Sequence, residues 1–162
     1  MLKISLPTPH DTARLGTRLA HILRQTSAVR ALLLRGPLGS GKTALTRALV
    51  AALPGGADAE VSSPSFTLCN VYPTTPPVVH CDLYRTETAL PEDVWELLDD
   101  APAPTRLAVI EWAEFIPAAA LPGEYLDICL ETCKLGRLAT VEPHGEAACG
   151  AVMQLQHDDW TT

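Results

Sequence analysis

The chain has 162 residues, of which 47% are hydrophobic and 19% are charged, and its formal net charge is −7. These values describe an ordinary soluble globular protein that is long enough to bury a core. No apolar run approaches the roughly 18 residues that a membrane helix needs, so we expect no membrane association. The acidic balance argues against a chain that binds RNA by itself, because such binding depends on clustered basic residues.

The cysteines and the first residues favour a cytoplasmic protein. The five cysteines include no C-x-x-C pair and are odd in number, which indicates a reducing compartment. Cys129 and Cys133 are close together, but the apolar neighbours of Cys129 predict a strand, so we favour buried or incidental thiols over a metal site. Residues 1–7 are too short in their apolar part for a signal peptide.

The first third of the chain predicts two strand–helix units. Residues 2–6 alternate as a strand does, and Thr8 followed by Pro9 is typical of a helix N-cap with proline in the first turn. The helix that follows has an apolar stripe, so it should pack on a sheet. A second strand is predicted at 30–35, and a second helix ends at Leu53.

Between the second strand and its helix, residues 36–43 read Gly-Pro-Leu-Gly-Ser-Gly-Lys-Thr, a full match to the phosphate-binding pattern G-x-x-x-x-G-K-[ST]. Successive backbone N–H groups and the positive end of the helix would face an anion. The side chain of Lys42 would reach the β- and γ-phosphates, and the Thr43 hydroxyl would bind Mg²⁺. The flanking strand and helix argue against a chance glycine-rich turn. We expect contacts to ATP from Leu38, Gly39, Ser40, Gly41, Lys42, Thr43 and Ala44.

The rest of the chain predicts hairpins, a short helix and a buried strand. Two pairs of strands indicate antiparallel hairpins: 66–72 with 78–84, and 125–130 with 137–141. A helix is predicted over 90–98 and an apolar strand over 107–111. We therefore predict an α/β fold, a single P-loop NTPase-like domain over 1–162, with a mixed sheet flanked by helices. The segment after 144 carries no interpretable motif.

Hydrolysis of ATP also needs an acid that holds the metal or orients water, and two carboxylates are candidates beside Lys42. Glu111 ends an apolar strand, at the edge where ligands of open α/β sheets gather. The alternative is an exposed strand-end glutamate. Asp82 ends another strand and would orient the attacking water or support the Mg²⁺ shell. Alternatively, Asp82 pairs with Arg85 in a turn.

For three further residues the sequence allows more than one role. The Ser65 hydroxyl, in Ser-Pro-Ser-Phe, would sense the γ-phosphate when ATP is bound, although an ordinary Ser/Pro turn explains these residues equally well. We interpret His80 as a packed histidine, or one that supports the site, rather than a catalytic base. Trp112 either lies near the nucleotide or fills the core.

Taken together, four segments in this order resemble one known family. They are the phosphate-binding pattern at 36–43, Ser-Pro-Ser-Phe-Thr-Leu, His-Cys-Asp-Leu-Tyr-Arg and Ile-Glu-Trp-Ala-Glu. From about Leu6 to Val141 the chain is similar to the bacterial tRNA threonylcarbamoyladenosine biosynthesis ATPase family, TsaE (formerly YjeE). The resemblance implies a small Mg²⁺-dependent ATPase that is slow without its partners. It implies that a TsaD–TsaB pair modifies the tRNA, so that this chain meets RNA only indirectly.

The resemblance also implies roles for individual residues. Lys42 and Thr43 match the phosphate and Mg²⁺ ligands of the family, and Glu111 matches its metal-associated glutamate. Asp82 matches the aspartate of an Asp-Leu-Tyr-Arg element, and Ser65 lies where the family usually has a threonine.

Two other positions depart from the family pattern. Pro37 replaces the usual aspartate of Gly-Asp-Leu-Gly, which removes one charge and one N–H near the phosphates. The segment 86–105 lacks the usual Glu-Leu…Gly pattern and is rich in proline.

Two other functions fit a phosphate-binding loop. A small-molecule P-loop kinase would need a lid with arginines over the transferred phosphoryl group, and the proline-rich stretch 101–105 is followed only by Arg106. A nucleotide-gated binding module would hydrolyse ATP slowly and incidentally. Hydrolysis that rises on adding the partners would separate an ATPase from a kinase.

Overall fold

The computed structural model describes residues 1–64, 68–85, 90–99, 106–158 and 160. Its strands are β1 (Leu2–Leu6), β2 (Ala31–Arg35), β3 (Cys69–Tyr72), β4 (Val78–Asp82), β5 (Leu107–Glu111), β6 (Tyr125–Cys133) and β7 (Gly136–His144). Its α-helices are α1 (Pro9–Gln25), α2 (Lys42–Ala52), α3 (Glu92–Leu98) and α4 (Glu146–Gln156). Two 3₁₀ turns, Ala113–Phe115 and Ala118–Ala120, follow β5.

The strands form one mixed sheet in the order β1-β7-β6-β2-β5-β4-β3. Strands β6, β2, β5 and β4 run parallel to one another, whereas β7 is antiparallel to both β6 and β1, and β3 is antiparallel to β4. The predicted α/β fold with a mixed sheet and antiparallel hairpins is confirmed. Because β2, β5 and β4 are parallel, the residues that follow their carboxyl ends gather at one edge of the sheet.

The central strands are apolar because both of their faces are covered. All five residues of β5 are buried, as are the first four of β2. Alternate residues face opposite sides: Leu32 and Leu34 belong to the core beneath α1 and α2, whereas Leu33 packs in the second core with Val94 of α3. The sheet thus lies between two apolar cores, one on each face.

Helix α1 begins with a capping box. The backbone N–H of Asp11 donates to Thr8 Oγ1 at 3.3 Å, and the Thr8 backbone N–H donates to the Asp11 carboxylate at 2.8 Å. The Thr8 hydroxyl also donates to that carboxylate, and these bonds hold the pKa of Asp11 below its ordinary value. The predicted N-cap at Thr8 and the proline in the first turn are therefore confirmed.

The second hairpin and the C-terminal segment extend further than the sequence predicted. Pairing of β6 with β7 continues from Tyr125↔His144 to Cys133↔Gly136, so both strands have nine residues. The segment after 144, for which no structure was predicted, forms α4, and Leu155 on this helix is fully buried in the core. None of the helices in the described part of the chain combines the length and apolarity that a membrane crossing requires.

One pair of cysteines differs from the expectation of reduced thiols. Cys69 lies opposite Cys81 in the β3–β4 register, with Cα atoms 4.1 Å apart, and a disulfide joins them. The two cysteines are 12 residues apart in sequence, so no short cysteine motif indicates that they pair. The other three cysteines are free, and the described residues contain no cluster of three or more histidine, cysteine or acidic side chains that would hold a metal.

Candidate functional site

The phosphate-binding loop, residues 36–43, joins the end of β2 to the first turn of α2. Gly36 and Gly41 have φ angles of 126° and 106°, which side chains with a Cβ rarely adopt. A Cβ on Gly36 would lie 2.1 Å from the Leu130 carbonyl oxygen. Close packing against β6 therefore requires glycine at the first position of the loop.

The side chain of Lys42 folds back over this loop. Its Nζ donates to the carbonyl oxygens of Gly36 at 2.7 Å and Pro37 at 3.0 Å, and lies 4.0 Å from the centre of the Trp112 ring. Burial lowers the pKa of Lys42, and the nearby carboxylates, Glu111 foremost, act in the opposite direction. The cation is thus held where the loop, the acid and an aromatic ring meet.

Glu111 connects the loop to the central strands. It pairs in register with Leu34 of β2, and its side chain is buried. Thr43 Oγ1 donates to Glu111 Oε2 at 3.0 Å, and Glu111 Oε1 lies 2.8 Å from His80 Nε2. The alternative of an exposed strand-end glutamate is therefore wrong.

Asp82 lies beside Glu111, because β4 and β5 pair in parallel with these two residues in register. Its Oδ1 accepts from the Tyr84 backbone N–H at 3.0 Å, and its Oδ2 accepts from the Ser63 hydroxyl. The carboxylate is thus oriented by a turn of its own and by the segment that precedes β3.

These residues line a cavity of about 740 Å³, within the range of small-molecule sites. Of the predicted residues, the cavity wall contains Leu38, Gly39, Gly41, Lys42, Thr43, Ala44, Asp82 and Glu111. Ser40 is buried in the loop, and its hydroxyl has no hydrogen-bond partner within the described residues. Ser65, the predicted nucleotide sensor, lies outside the described residues.

Arg137 also lines the cavity, although it was not among the predicted site residues. This residue is the second of β7, and a Cβ on Gly41 would lie 3.0 Å from its Nε. That Nε is buried and finds no acceptor among residues 1–64, 68–85, 90–99, 106–158 and 160. No motif surrounds Arg137 in the sequence; only the length of the β6–β7 hairpin brings it to the loop.

Two aromatic side chains, Tyr84 and Trp112, line the cavity, and Phe115 lies beside Trp112. The rings of Tyr84 and Trp112 have centroids 4.7 Å apart, and Trp112 lies 6.5 Å from Phe115. Tyr84 and Phe115 are about half exposed, at 52% and 47%. Trp112, for which the sequence left two alternatives, lines the cavity and has a φ of 59°.

The donor set fits a hard divalent cation. Thr43 and Glu111 offer a hydroxyl and a carboxylate 3.0 Å apart at the base of the loop, and Asp82 follows on the next strand. Mg²⁺ takes oxygen ligands, keeps several waters and is usually held by one or two carboxylates together with phosphate oxygens. A pair of protein oxygens beside a phosphate-binding loop matches that preference.

Comparisons with known proteins show the family of this chain. The family model described as "Threonylcarbamoyl adenosine biosynthesis protein TsaE" matches residues 6–138. The tRNA threonylcarbamoyladenosine biosynthesis protein TsaE of Mycobacterium bovis is 35% identical over 135 residues, which cover 78% of this chain and 77% of the relative. The protein of the same name from Streptomyces coelicolor is 42% identical over 104 residues, covering 62% and 66%.

The fold has a solved counterpart. The crystal structure of Bacillus subtilis YdiB superposes with a TM-score of 0.68 and 24% identity, covering 96% of this chain and 93% of that one. This similarity supports the fold, while the family assignment depends on the sequence matches. The chain belongs to the TsaE family, the threonylcarbamoyl adenosine biosynthesis proteins.

Proposed function

We propose that this chain binds ATP with Mg²⁺ in the cavity above the phosphate-binding loop and hydrolyses it in support of threonylcarbamoyladenosine formation in tRNA. The observation that carries the proposal is the hydrogen bond between Thr43 and Glu111, directly beside Lys42. A phosphate-binding loop alone only binds, whereas a loop joined to a buried carboxylate can also hold the metal for phosphoryl transfer. The part of the proposal that concerns tRNA modification is taken from the names of the relatives.

In this proposal the loop holds the phosphates. The backbone N–H groups at the start of α2 and the Lys42 ammonium face the β- and γ-phosphates. Arg137 places a guanidinium against Gly41, where it would neutralise a further phosphate charge. The chain thus supplies two cations to a highly charged anion in a partly enclosed site.

Thr43 and Glu111 would hold Mg²⁺, which neutralises charge on the β- and γ-phosphate oxygens when it is bound. Asp82 would accept a hydrogen bond from the attacking water, and its register position beside Glu111 on the adjacent strand supports this role. Because Ser63 and Tyr84 hold its two oxygens, the carboxylate has a defined direction before a ligand arrives.

The tRNA would be met through protein partners, for which we propose homologues of TsaD and TsaB in the cytoplasm. A net charge of −7 opposes direct binding to RNA, since phosphate contacts require clustered cations. The exposed ring of Tyr84 in the cavity wall and the exposed ring of Phe115 beside Trp112 are of the kind enriched at protein interfaces. A partner bound there would be sensitive to the contents of the cavity.

The experiment that tests the proposal is ATP hydrolysis by the purified chain, alone and with TsaD and TsaB homologues from the same organism. We expect slow basal turnover that requires Mg²⁺ and rises when both partners are present. A Lys42→Ala variant mixed with the same partners provides the control for contaminating ATPases. ADP formation that depends on a small metabolite instead of the partners would contradict the proposal and favour a P-loop kinase.

A further inference from the structure

We propose that His80 is a positioning residue for Glu111. Its Nε2–H holds one oxygen of the carboxylate, so that the other oxygen faces Thr43 and the phosphate-binding loop. The inference rests on the proposed function, in which Glu111 holds the Mg²⁺ of bound ATP. It assigns a specific task to a histidine whose role the sequence leaves open between packing and support of the site.

The geometry begins with the register of two strands. β4 and β5 are parallel, with His80 opposite Val109 and Asp82 opposite Glu111. Because alternate residues of a strand share a face, His80 and Asp82 project to one side of the sheet. Val109 and Glu111 project to that same side, beneath α2. His80 lies two residues before Asp82, the register partner of Glu111. Its imidazole therefore reaches Glu111 diagonally across the two neighbouring strands.

Glu111 depends on its donors because it is buried. Its exposed fraction is 2%, and that of His80 is 0%. A buried carboxylate without hydrogen-bond donors carries a large desolvation penalty. Here each oxygen has its own donor: Oε1 lies 2.8 Å from His80 Nε2, and Oε2 accepts from Thr43 Oγ1 at 3.0 Å. Two donors on opposite oxygens fix the plane of the carboxylate.

The groups around the two nitrogens of His80 determine which nitrogen carries the proton. A carboxylate oxygen only accepts, so the proton of this hydrogen bond belongs to His80 Nε2. The other ring nitrogen, Nδ1, is buried and has no partner within the described ranges, so a proton there would lack an acceptor. The Tyr72 ring stacks nearby, with centroids 6.4 Å apart. The structure thus assigns His80 as a fixed donor toward Glu111, which leaves it no part as a base.

The first test compares a replacement that keeps a donor with one that removes it. In His80→Gln the terminal amide reaches the position of Nε2 and still donates, whereas His80→Met fills similar space without a donor. We expect His80→Met to lower hydrolysis at saturating Mg²⁺ and ATP by about tenfold to a hundredfold, as is typical when a partner of a metal ligand is lost. Affinity for ATP without Mg²⁺ should stay unchanged, and His80→Gln should recover most of the rate.

A combined variant separates positioning from packing. If His80 acts through Glu111, then His80→Met should reduce the gain in nucleotide affinity on adding Mg²⁺ in the wild-type background. In a Glu111→Ala background it should have no further effect. Tyr72→Phe is the matched control, because it alters a buried neighbour of the ring without touching Glu111. Equal losses in His80→Gln and His80→Met, or the same loss with and without Glu111, would overturn the proposal.

A spectroscopic readout keeps the inference independent of the ATPase activity. Nitrogen-15 NMR of the imidazole should show the Nε2–H tautomer for His80, with a resonance that moves in Glu111→Ala. An Nδ1–H tautomer, or a resonance that does not move, would contradict the assignment. If the NMR result and the Mg²⁺ dependence hold while the wild-type chain hydrolyses no ATP with its partners, the proposed function fails and the role of His80 toward Glu111 stands.

Discussion

The Thr43 hydroxyl donates to the Glu111 carboxylate at 3.0 Å, although the two residues are 68 positions apart. Thr43 lies in the first turn of α2, and Glu111 is the last residue of β5. The contact exists because β2 and β5 are adjacent and parallel. The loop that follows β2 therefore lies next to the carboxyl end of β5. The phosphate-binding loop and its acid are therefore positioned by the same pair of strands.

Replacing Glu111 by glutamine should separate hydrolysis from binding. The substitution keeps the shape of the side chain but removes the charge that would hold Mg²⁺, so we expect hydrolysis to fall by about two orders of magnitude or more. Affinity for ATP without Mg²⁺, measured by calorimetry, should change little. Glu96→Gln is the control, because it removes an equal charge from an exposed position on α3 that does not line the cavity. Normal Mg²⁺-dependent turnover in Glu111→Gln would remove this residue from the site.

The variant Lys42→Ala should lose productive binding of ATP. The lysine is the cation closest to the loop carbonyls, and the alanine leaves the β- and γ-phosphates without that charge. Equilibrium binding of a fluorescent ATP analogue measures the loss. Lys3→Ala, at an exposed position of the edge strand β1, should bind as the wild type does. Unchanged affinity in Lys42→Ala would contradict the proposed role of the loop.

For Arg137→Ala we predict weaker binding of ATP with a smaller effect on AMP, since the guanidinium lies against the loop beside Gly41. The expected loss is about tenfold or more, the usual effect of removing a charged hydrogen bond of 1.5–3 kcal/mol. Arg24→Ala removes an equal charge from the exposed last turn of α1 and should leave the affinity unchanged. Equal losses for ATP and AMP would place Arg137 away from the outer phosphates.

Asp82→Asn should lower the hydrolysis rate at saturating ATP while KM changes little, because the proposed contact is to the attacking water and not to the nucleotide. Ser63→Ala removes the hydroxyl that donates to Asp82 and should give a smaller loss in the same direction. Steady-state kinetics of both variants test this order. A Ser63→Ala variant that is slower than Asp82→Asn would assign the hydroxyl a role of its own.

The capping box makes a prediction about stability and pH. The Thr8 hydrogen bonds lower the pKa of Asp11 in the folded chain below the ordinary value of 3.8, so the folded state binds this proton less tightly than the unfolded state does. The stabilisation is therefore present above pH 3.8 and is lost as the pH falls through the folded-state pKa. Urea unfolding at pH 7 should show Asp11→Asn to be less stable than the wild type.

The difference between Asp11→Asn and the wild type should shrink at pH 3 and vanish at lower pH. Asp58→Asn, at an exposed position between α2 and β3, provides the comparison, because it removes the same charge without a capping bond. A difference between Asp11→Asn and the wild type that stays constant with pH would show that the carboxylate charge does not contribute.

Most elements could be predicted because their signals are local. The cap at Thr8, the alternation in β1 and the apolar run that ends at Glu111 each specify structure over a few residues. The pattern at 36–43 is local as well, and it predicts a glycine-rich turn between a strand and a helix, which the structure contains. Strand-end placement then correctly brought Glu111 and Asp82 to one edge, since parallel strands share a carboxyl end.

What could not be predicted depends on pairing between distant parts of the chain. Arg137 reaches Gly41 only because the β6–β7 hairpin is nine residues long on each side, and nothing near Arg137 in the sequence indicates that length. The Cys69–Cys81 bond likewise follows from the register of β3 and β4. Helix α4 is a different case, because its buried residues follow the apolar spacing of a helix face, which the sequence does contain: Ala148, Ala151, Val152 and Leu155.

Pro37 has a consequence for how the phosphate-binding loop meets its ligand. Its carbonyl oxygen accepts from Lys42 Nζ at 3.0 Å and from the Ser40 N–H at 3.2 Å, so the residue that lacks an N–H still contributes two contacts. A proline in a conformation that it can adopt stabilises a fold by about 0.4–1 kcal/mol, chiefly by lowering the entropy of the unfolded chain. The loop is stiffened at its second residue, so in the proposed complex an ATP phosphate would bind a loop that loses less conformational entropy on binding.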